Sequence, residues 1–229
     1  EKRSFGVFGS NIFALVLGVP DDRYDDVVAT LKHEISVKYD NHLNTGIFGT
    51  QFFFETLALN GLNDIAYNAM NQEDFPSVGN WIKQGATVTW EKWNGADSRN
   101  HPMFGGGLTW FYRILAGVNV DAERPAYEHI IIKPILDKRL PEVYYSHMTP
   151  YGEVVSEIRQ TGRNLEMNVT VPVGSTATIY IPVGGNTSEV TESGISVRDS
   201  KDVRFERIQD GNCIVRVPQG KYKFKVDNQ

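Results

Sequence analysis

The hydrophobic positions change their spacing once along the chain. Up to about residue 137 they recur every three or four residues, the repeat of one helix face; from about Val143 they alternate with polar ones, the repeat of a strand. In the first stretch Gly18, Pro20 and Asp21 read as a stop followed by a start, and Val27, Val28, Leu31 and Ile35 keep helical spacing over residues 21–39. Gly46 and Gly49 punctuate a loop before an apolar helix over 52–59, which stops at Asn60 and Gly61. Further helices are expected over 62–71, from Pro76 to Trp81, and over about 108–117. In the second stretch residues 154–158, 165–171, 177–181, 203–208, 214–217 and 222–226 read as strands. Gly174-Ser175, Gly184-Gly185-Asn186 and Asp210-Gly211-Asn212 supply turns. That spacing predicts an antiparallel β-sandwich, with the apolar segment Ile130-Ile131-Ile132-Lys133-Pro134 bridging the two halves.

The helical stretch is an odd bundle taken by itself. Phe52, Phe53 and Phe54 in succession put aromatic surface on more than one side of a helix, which then needs neighbours on several sides. Part of that domain is therefore expected to lie outside the chain. Apolar residues at 41% and charged residues at 22% are ordinary for a folded protein, and 229 residues fit one large domain or two modest ones. No stretch approaches the roughly 20 unbroken apolar residues of a membrane helix. A net charge of −5 with scattered basic residues argues against a nucleic-acid surface. Lys221, Lys223 and Lys225 alternate on one face of an expected strand, as a solvated edge does. The single cysteine, Cys213, lies in an alternating segment and is expected to be buried. The chain begins with Glu1 and shows no signal peptide, so either a leader has been removed or this is an internal piece of a longer sequence.

The segment that carries chemistry is Gly85-Ala86-Thr87-Val88-Thr89-Trp90-Glu91-Lys92-Trp93, followed by Ser98-Arg99-Asn100-His101-Pro102-Met103-Phe104-Gly105. Tryptophan faces stack on the apolar faces of sugar rings, and a carboxylate beside them can act on an anomeric centre. The plain alternative is that Trp90 and Trp93, three apart, pack into a core while Glu91 faces solvent. The two segments resemble glycoside hydrolase family 78, the bacterial α-L-rhamnosidases. So do Thr45-Gly46-Ile47-Phe48-Gly49-Thr50, Phe75-Pro76-Ser77 and the run from Trp110 through Ala116-Gly117 to Pro134. The likeness covers residues 1 to about 140 and, more weakly, the strand-rich tail.

The resemblance implies an α+β multidomain chain: residues 1–137 as the C-terminal half of a catalytic (α/α)6 toroid, and 138–229 as a C-terminal antiparallel β-sandwich. The implied reaction is hydrolysis of a terminal α-L-rhamnoside with inversion, which needs one carboxyl group to protonate the leaving oxygen and a second to activate water. By position Glu91 matches the general base, and His101 a histidine that hydrogen-bonds the rhamnose hydroxyls. Trp93, and after it Trp90, are implied to wall the sugar site, and Asn100 either to orient His101 or to touch the sugar. No segment resembles the acidic motif that carries the general acid upstream in the family. The chain alone is therefore expected to be inactive, its partners being a rhamnose-containing glycoside and the remainder of the catalytic domain. No cofactor is implied. Val88, Thr89 and Lys92 depart from the commonest family residues, and the loop between Glu91 and His101 is short; neither removes a catalytic group.

Two rival readings change the function: another (α/α)6 glycosidase acting on a different sugar, or a non-catalytic carbohydrate-binding or structural fragment. The sandwich offers the latter little platform, because Tyr180 and Tyr222 are single and scattered. Other polar clusters have ordinary accounts. His42 either caps a loop or faces the toroid opening; Asp21, Asp22, Asp25 and Asp26 suit a helix start better than a calcium site. His33, His129 and His147 lack metal-ligand spacing, and Gly105-Gly106-Gly107 suits close helix packing better than a phosphate loop.

Overall fold

A computed structural model describes residues 8–184 and 189–227. Gly185 and Asn186 of one expected turn lie outside the described residues. The contacts divide the chain into two compact units, Glu1–Trp110 and Phe111–Gln229.

The first unit is helical. It contains α1 (Phe8–Leu17), α2 (Asp21–His33) running on into a π-helical turn (Glu34–Lys38), α3 (Ile47–Leu59), α4 (Asn63–Met70) and α5 (Val78–Lys83). A long non-helical segment and a 3-10 segment (Pro102–Leu108) follow, and a π-helical segment (Trp110–Leu115) leads out of the unit. Asp21 and Asp22 occupy the first turn of α2, where carboxylates meet the positive end of the helix dipole. Helix α3 begins at Ile47 rather than Phe52, because Gly49 is a helical residue and not a loop residue. A Cβ there would stand 3.1 Å from the Thr45 Cβ, so glycine lets the first turn close over that threonine. As the triple phenylalanine predicts, α3 is covered on several sides, with Phe53, Phe54, Thr56, Leu57 and Ala58 all buried. Two of the three successive glycines, Gly106 and Gly107, account for part of that cover. A Cβ on Gly106 would lie 2.7 Å from the Gln51 Cα, and one on Gly107 2.9 Å from the Phe54 ring, so the 3-10 segment packs directly on the α3 backbone.

The second unit is a two-sheet sandwich. One sheet has the order β1 (Val118–Val120), β2 (His129–Ile132), β6 (Thr176–Pro182), β10 (Asn212–Val217), β9 (Arg204–Gln209). The other runs β3 (Glu142–Thr149), β4 (Gly152–Thr161), β5 (Asn164–Val171), β11 (Gly220–Asp227), β7 (Glu189–Glu192), β8 (Ile195–Ser196). Pairing is antiparallel except between β2 and β6. Alternate residues of both sheets, among them Ile130, Ile179, Val215, Ile158, Met167 and Phe224, enter one continuous core. The segment at Ile130 is therefore a sandwich strand, not a bridge between halves. That is why the contacts divide the chain near 110 while the spacing of hydrophobic residues changes near 137. Cys213 is buried in the same core, and burial pushes its thiol up to about 11.

Two histidines make this unit sensitive to acid. His129 is buried with one ring nitrogen 2.6 Å from Thr176 Oγ1 and the other 2.8 Å from Thr178 Oγ1, an arrangement a neutral imidazole satisfies. Burial, then the nearby Arg124, holds its pKa below the ordinary 6.5, although Asp121 pulls the other way. His147 packs edge-on against Tyr127, both its ring nitrogens buried with no hydrogen-bond partner among the described residues, and burial lowers its pKa too. Below about pH 6.5 the unfolded chain takes up protons that the folded sandwich refuses until its depressed pKa values are reached. The sandwich is thus expected to lose stability as pH falls below 6.5. Urea midpoints at pH 7 and 5 check this, and His129→Gln should flatten the dependence.

Candidate active site

The short helix α5 exists to place one side chain. Ser77 is buried at its start and its hydroxyl accepts the Asn80 N–H at 2.9 Å, a local N-cap. Gly85, at φ 80°, ends it: the Gly85 N–H donates to Ile82 and the Ala86 N–H to Trp81, the paired bonds of a Schellman stop. Between them Trp81 is buried at the centre of an aromatic cluster. Its ring stacks on Trp93 with centroids 4.4 Å apart, and meets Phe104 at 5.3 Å and Trp90 at 5.8 Å. Its indole N–H donates to the Trp93 carbonyl at 2.9 Å.

Past that stop the chain makes a hairpin across residues 89–101. The His101 N–H donates to the Thr89 carbonyl at 2.8 Å, the Thr89 hydroxyl to the His101 carbonyl at 2.7 Å, and the Glu91 N–H to the Ser98 carbonyl at 2.8 Å. The tip carries left-handed Gly95 and Asp97, at φ 72° and 62°. Gly95 is required there, since a Cβ would lie 2.7 Å from the Trp90 ring. Arg99 closes the tip by donating from Nε to the Gly95 carbonyl at 3.0 Å while its guanidinium covers Trp90 at 4.6 Å. Lys92 and Asp97 pair across it, which raises the Lys92 pKa.

This geometry brings Glu91 and His101 together. Oε2 of Glu91 accepts the Ser98 N–H at 3.1 Å and lies 3.9 Å from His101 Nδ1. Both side chains stay partly exposed, at 35% and 27%. The two tryptophans separate. Trp90 is 3% exposed, held between Trp81, Gly95 and Arg99, so its ring supports the hairpin and is closed to a sugar. Trp93 keeps partial exposure, its face on Trp81 and Phe104 and its indole N–H on the Thr45 carbonyl at 2.9 Å. Asn100 is exposed and borders an apolar groove of about 570 Å³ with Ile82, Val88 and Leu108, a groove that neither Glu91 nor His101 lines. His42 lies in a loop and pairs with Asp74. Among the described residues no group of three or more His, Cys, Asp or Glu could hold a metal ion. Trp81, Thr45 and Arg99 belong to the site without having stood out in the sequence; the Gly85-Ala86 helix stop is the signal that points back to Trp81.

Comparison with known proteins gives the arrangement a context. Residues 6–115 match the bacterial alpha-L-rhamnosidase 6 hairpin glycosidase domain, and residues 117–196 match the bacterial alpha-L-rhamnosidase C-terminal domain. The chain is 26% identical over 223 residues to an alpha-L-rhamnosidase of Formosa agariphila, covering 94% of this chain and 23% of that protein. The solved alpha-L-rhamnosidase of Dictyoglumus thermophilum superposes with a TM-score of 0.87 at 33% identity, over 97% of this chain and 25% of that one. The Streptomyces avermitilis alpha-L-rhamnosidase complexed with L-rhamnose gives 0.85 at 26% identity, over 97% and 22%. The chain therefore spans about a quarter of the length of the relatives it matches.

Proposed function

The chain belongs to the bacterial alpha-L-rhamnosidase family, and from that membership we propose that it forms the part of an inverting α-L-rhamnosidase that carries the general base, Glu91. The observation that carries this reading is the 3.9 Å approach of the Glu91 carboxylate to His101 on facing arms of one hairpin, both groups open to solvent. A general base needs one oxygen free to take a proton from water. Oε2 of Glu91 is engaged by Ser98, while Oε1 has no hydrogen-bond partner among the described residues. His101, beside it, supplies a ring nitrogen for a sugar hydroxyl. Trp93 offers the apolar surface that the methyl group of rhamnose favours.

Inversion requires a second carboxyl group about 6.5–9.5 Å from the first, acting as acid on the leaving oxygen. We place that acid in the remainder of the six-hairpin domain, which also accounts for the apolar surface of the helical unit: Leu17, Phe48, Leu59, Ile82 and Leu108 are all exposed. Among the described residues no helix is long and apolar enough to cross a membrane. The test compares the chain alone with the longer protein on a panel of aryl glycosides. The longer protein is expected to turn over the α-L-rhamnoside, and the chain alone to be slower by at least the roughly 10²–10⁴-fold that acid–base assistance contributes. Enzyme-like turnover by the chain alone would overturn the missing-acid argument. Turnover of a different glycoside by the longer protein would move the assignment to another sugar.

A further inference from the structure

The Glu91 hairpin is tied to the loop before α3 through Trp93, whose indole N–H donates to the Thr45 carbonyl. Thr45 ends the loop over residues 39–45 and is buried, its hydroxyl 2.6 Å from Thr50 Oγ1, which in turn donates to the Gly46 carbonyl. The same loop is anchored elsewhere to the connection between α4 and α5. His42 lies with Nε2 2.9 Å from Asp74 Oδ1 and Nδ1 3.0 Å from the Tyr39 carbonyl, and Gln72 donates to the Asp40 carbonyl at 2.9 Å. Between these ties Asp40 and Asn41 both hold left-handed backbone, at φ 45° and 58°. Aspartate and asparagine take that conformation more readily than other residues with a Cβ, so the loop turns there at little cost.

We propose that residues 39–45 form a positioning strap for the Glu91 carboxylate, with His42 as the residue that anchors it: the His42–Asp74 pair fixes one end, and the Thr45 carbonyl holds the Trp93 indole at the other. The proposal rests on the reading of Glu91 as base. Trp93 follows Glu91 by two residues, and its backbone carbonyl accepts the Trp81 indole N–H, so a displaced strap pulls on the hairpin that presents the carboxylate. Misplacement by about 1 Å can cost a reaction on the order of 10²-fold. His42 faces oxygen on both ring nitrogens and bonds both as the imidazolium. Burial alone lowers its pKa, but the bonds to Asp74 and Tyr39 leave it raised above 6.5. The Asp40 backbone adds in the same direction, and Lys83, which Glu73 pairs at 2.7 Å, acts on the far side of Asp74.

Hydrogen exchange of the tryptophan indole N–H groups, read by NMR on the 229-residue chain, tests the strap. The Trp110 indole, bonded to Asn63, serves as reference. His42→Ala is expected to speed exchange at Trp93 about tenfold relative to Trp110. Asp74→Ala, at an exposed side chain whose loss leaves the core intact, should act in the same direction and decides the matter if the histidine variant folds poorly. In the longer protein both variants should lower kcat/KM several-fold, with kcat itself reduced because the carboxylate is misplaced as well as the Trp93 wall. Unaltered relative exchange at Trp93 in the folded variants would overturn the strap. If exchange responds but Glu91→Gln leaves turnover intact, the base assignment fails and the link from His42 to the hairpin still stands.

Discussion

Replacing Glu91 with glutamine is expected to lower kcat on an aryl α-L-rhamnoside by two orders of magnitude or more in the protein that contains this segment, with KM little changed. The substitution keeps the shape of the side chain and an oxygen that accepts the Ser98 N–H, now at 3.1 Å from Oε2, so the hairpin is held as before. What it removes is a group able to take a proton from water. General-base assistance is worth roughly 10²–10⁴-fold, and a loss confined to the transition state appears in kcat rather than KM. His101→Ala is the informative contrast. That ring is assigned to the ground-state sugar as well as to the transition state, so its loss should raise KM too. Near-normal turnover by the glutamine variant would reduce Glu91 to a wall residue and end its assignment as base.

The legibility of the fold and of the site in the amino-acid sequence differs by element, and the differences have physical causes. The turn of the β9–β10 hairpin is legible because it is chemical: Asp210 and Gly211 take left-handed backbone at φ 49° and 71°, which those residue types accept most readily, whereas the register shift between Ile214 and Val215 is not. Strand β2 is legible as a strand but not in its role. Its pattern reports that it is apolar and extended; it says nothing of its parallel partner β6, which lies more than forty residues further along. The start of α3 is hidden because glycine is a poor helix former, and the reason for Gly49, a close approach to Thr45, is a tertiary contact. The site shows the same split. Glu91 and the two tryptophans are nominated first by their chemistry and then, with His101 and Asn100, by family resemblance. That Glu91 and His101 face each other follows from the hairpin between them, whose tip turns on left-handed Gly95 and Asp97 rather than on the two-residue turn that an Asn-Gly pair signals. The parting of Trp90 from Trp93 is not legible, since spacing alone cannot tell which indole Arg99 covers.

Gly117→Ala is expected to destabilise the sandwich by roughly 3 kcal/mol, a large share of the 5–15 kcal/mol that holds a typical domain. Gly117 precedes β1 where the chain crosses the residues that follow β2, and its carbonyl accepts the Lys133 N–H at 2.9 Å. Its φ is 74°, a conformation that costs a residue bearing a Cβ about 1–2 kcal/mol. The new methyl would also stand 2.3 Å from the Pro134 nitrogen and 2.4 Å from the Lys133 carbonyl carbon. Both are backbone atoms that no rotamer change can clear, and forced overpacking of this kind typically adds about 1–3 kcal/mol. Gly211→Ala separates the two contributions, because its φ of 71° is nearly the same and nothing lies within 4 Å of its added Cβ. Urea unfolding of the whole chain should show the Gly211 variant shifted by the conformational cost alone, and the Gly117 variant shifted further at an unchanged slope. Equal shifts would mean that the crossing relaxes freely. The close approach of β1 to the chain after β2 would then contribute nothing to the sandwich beyond its hydrogen bonds.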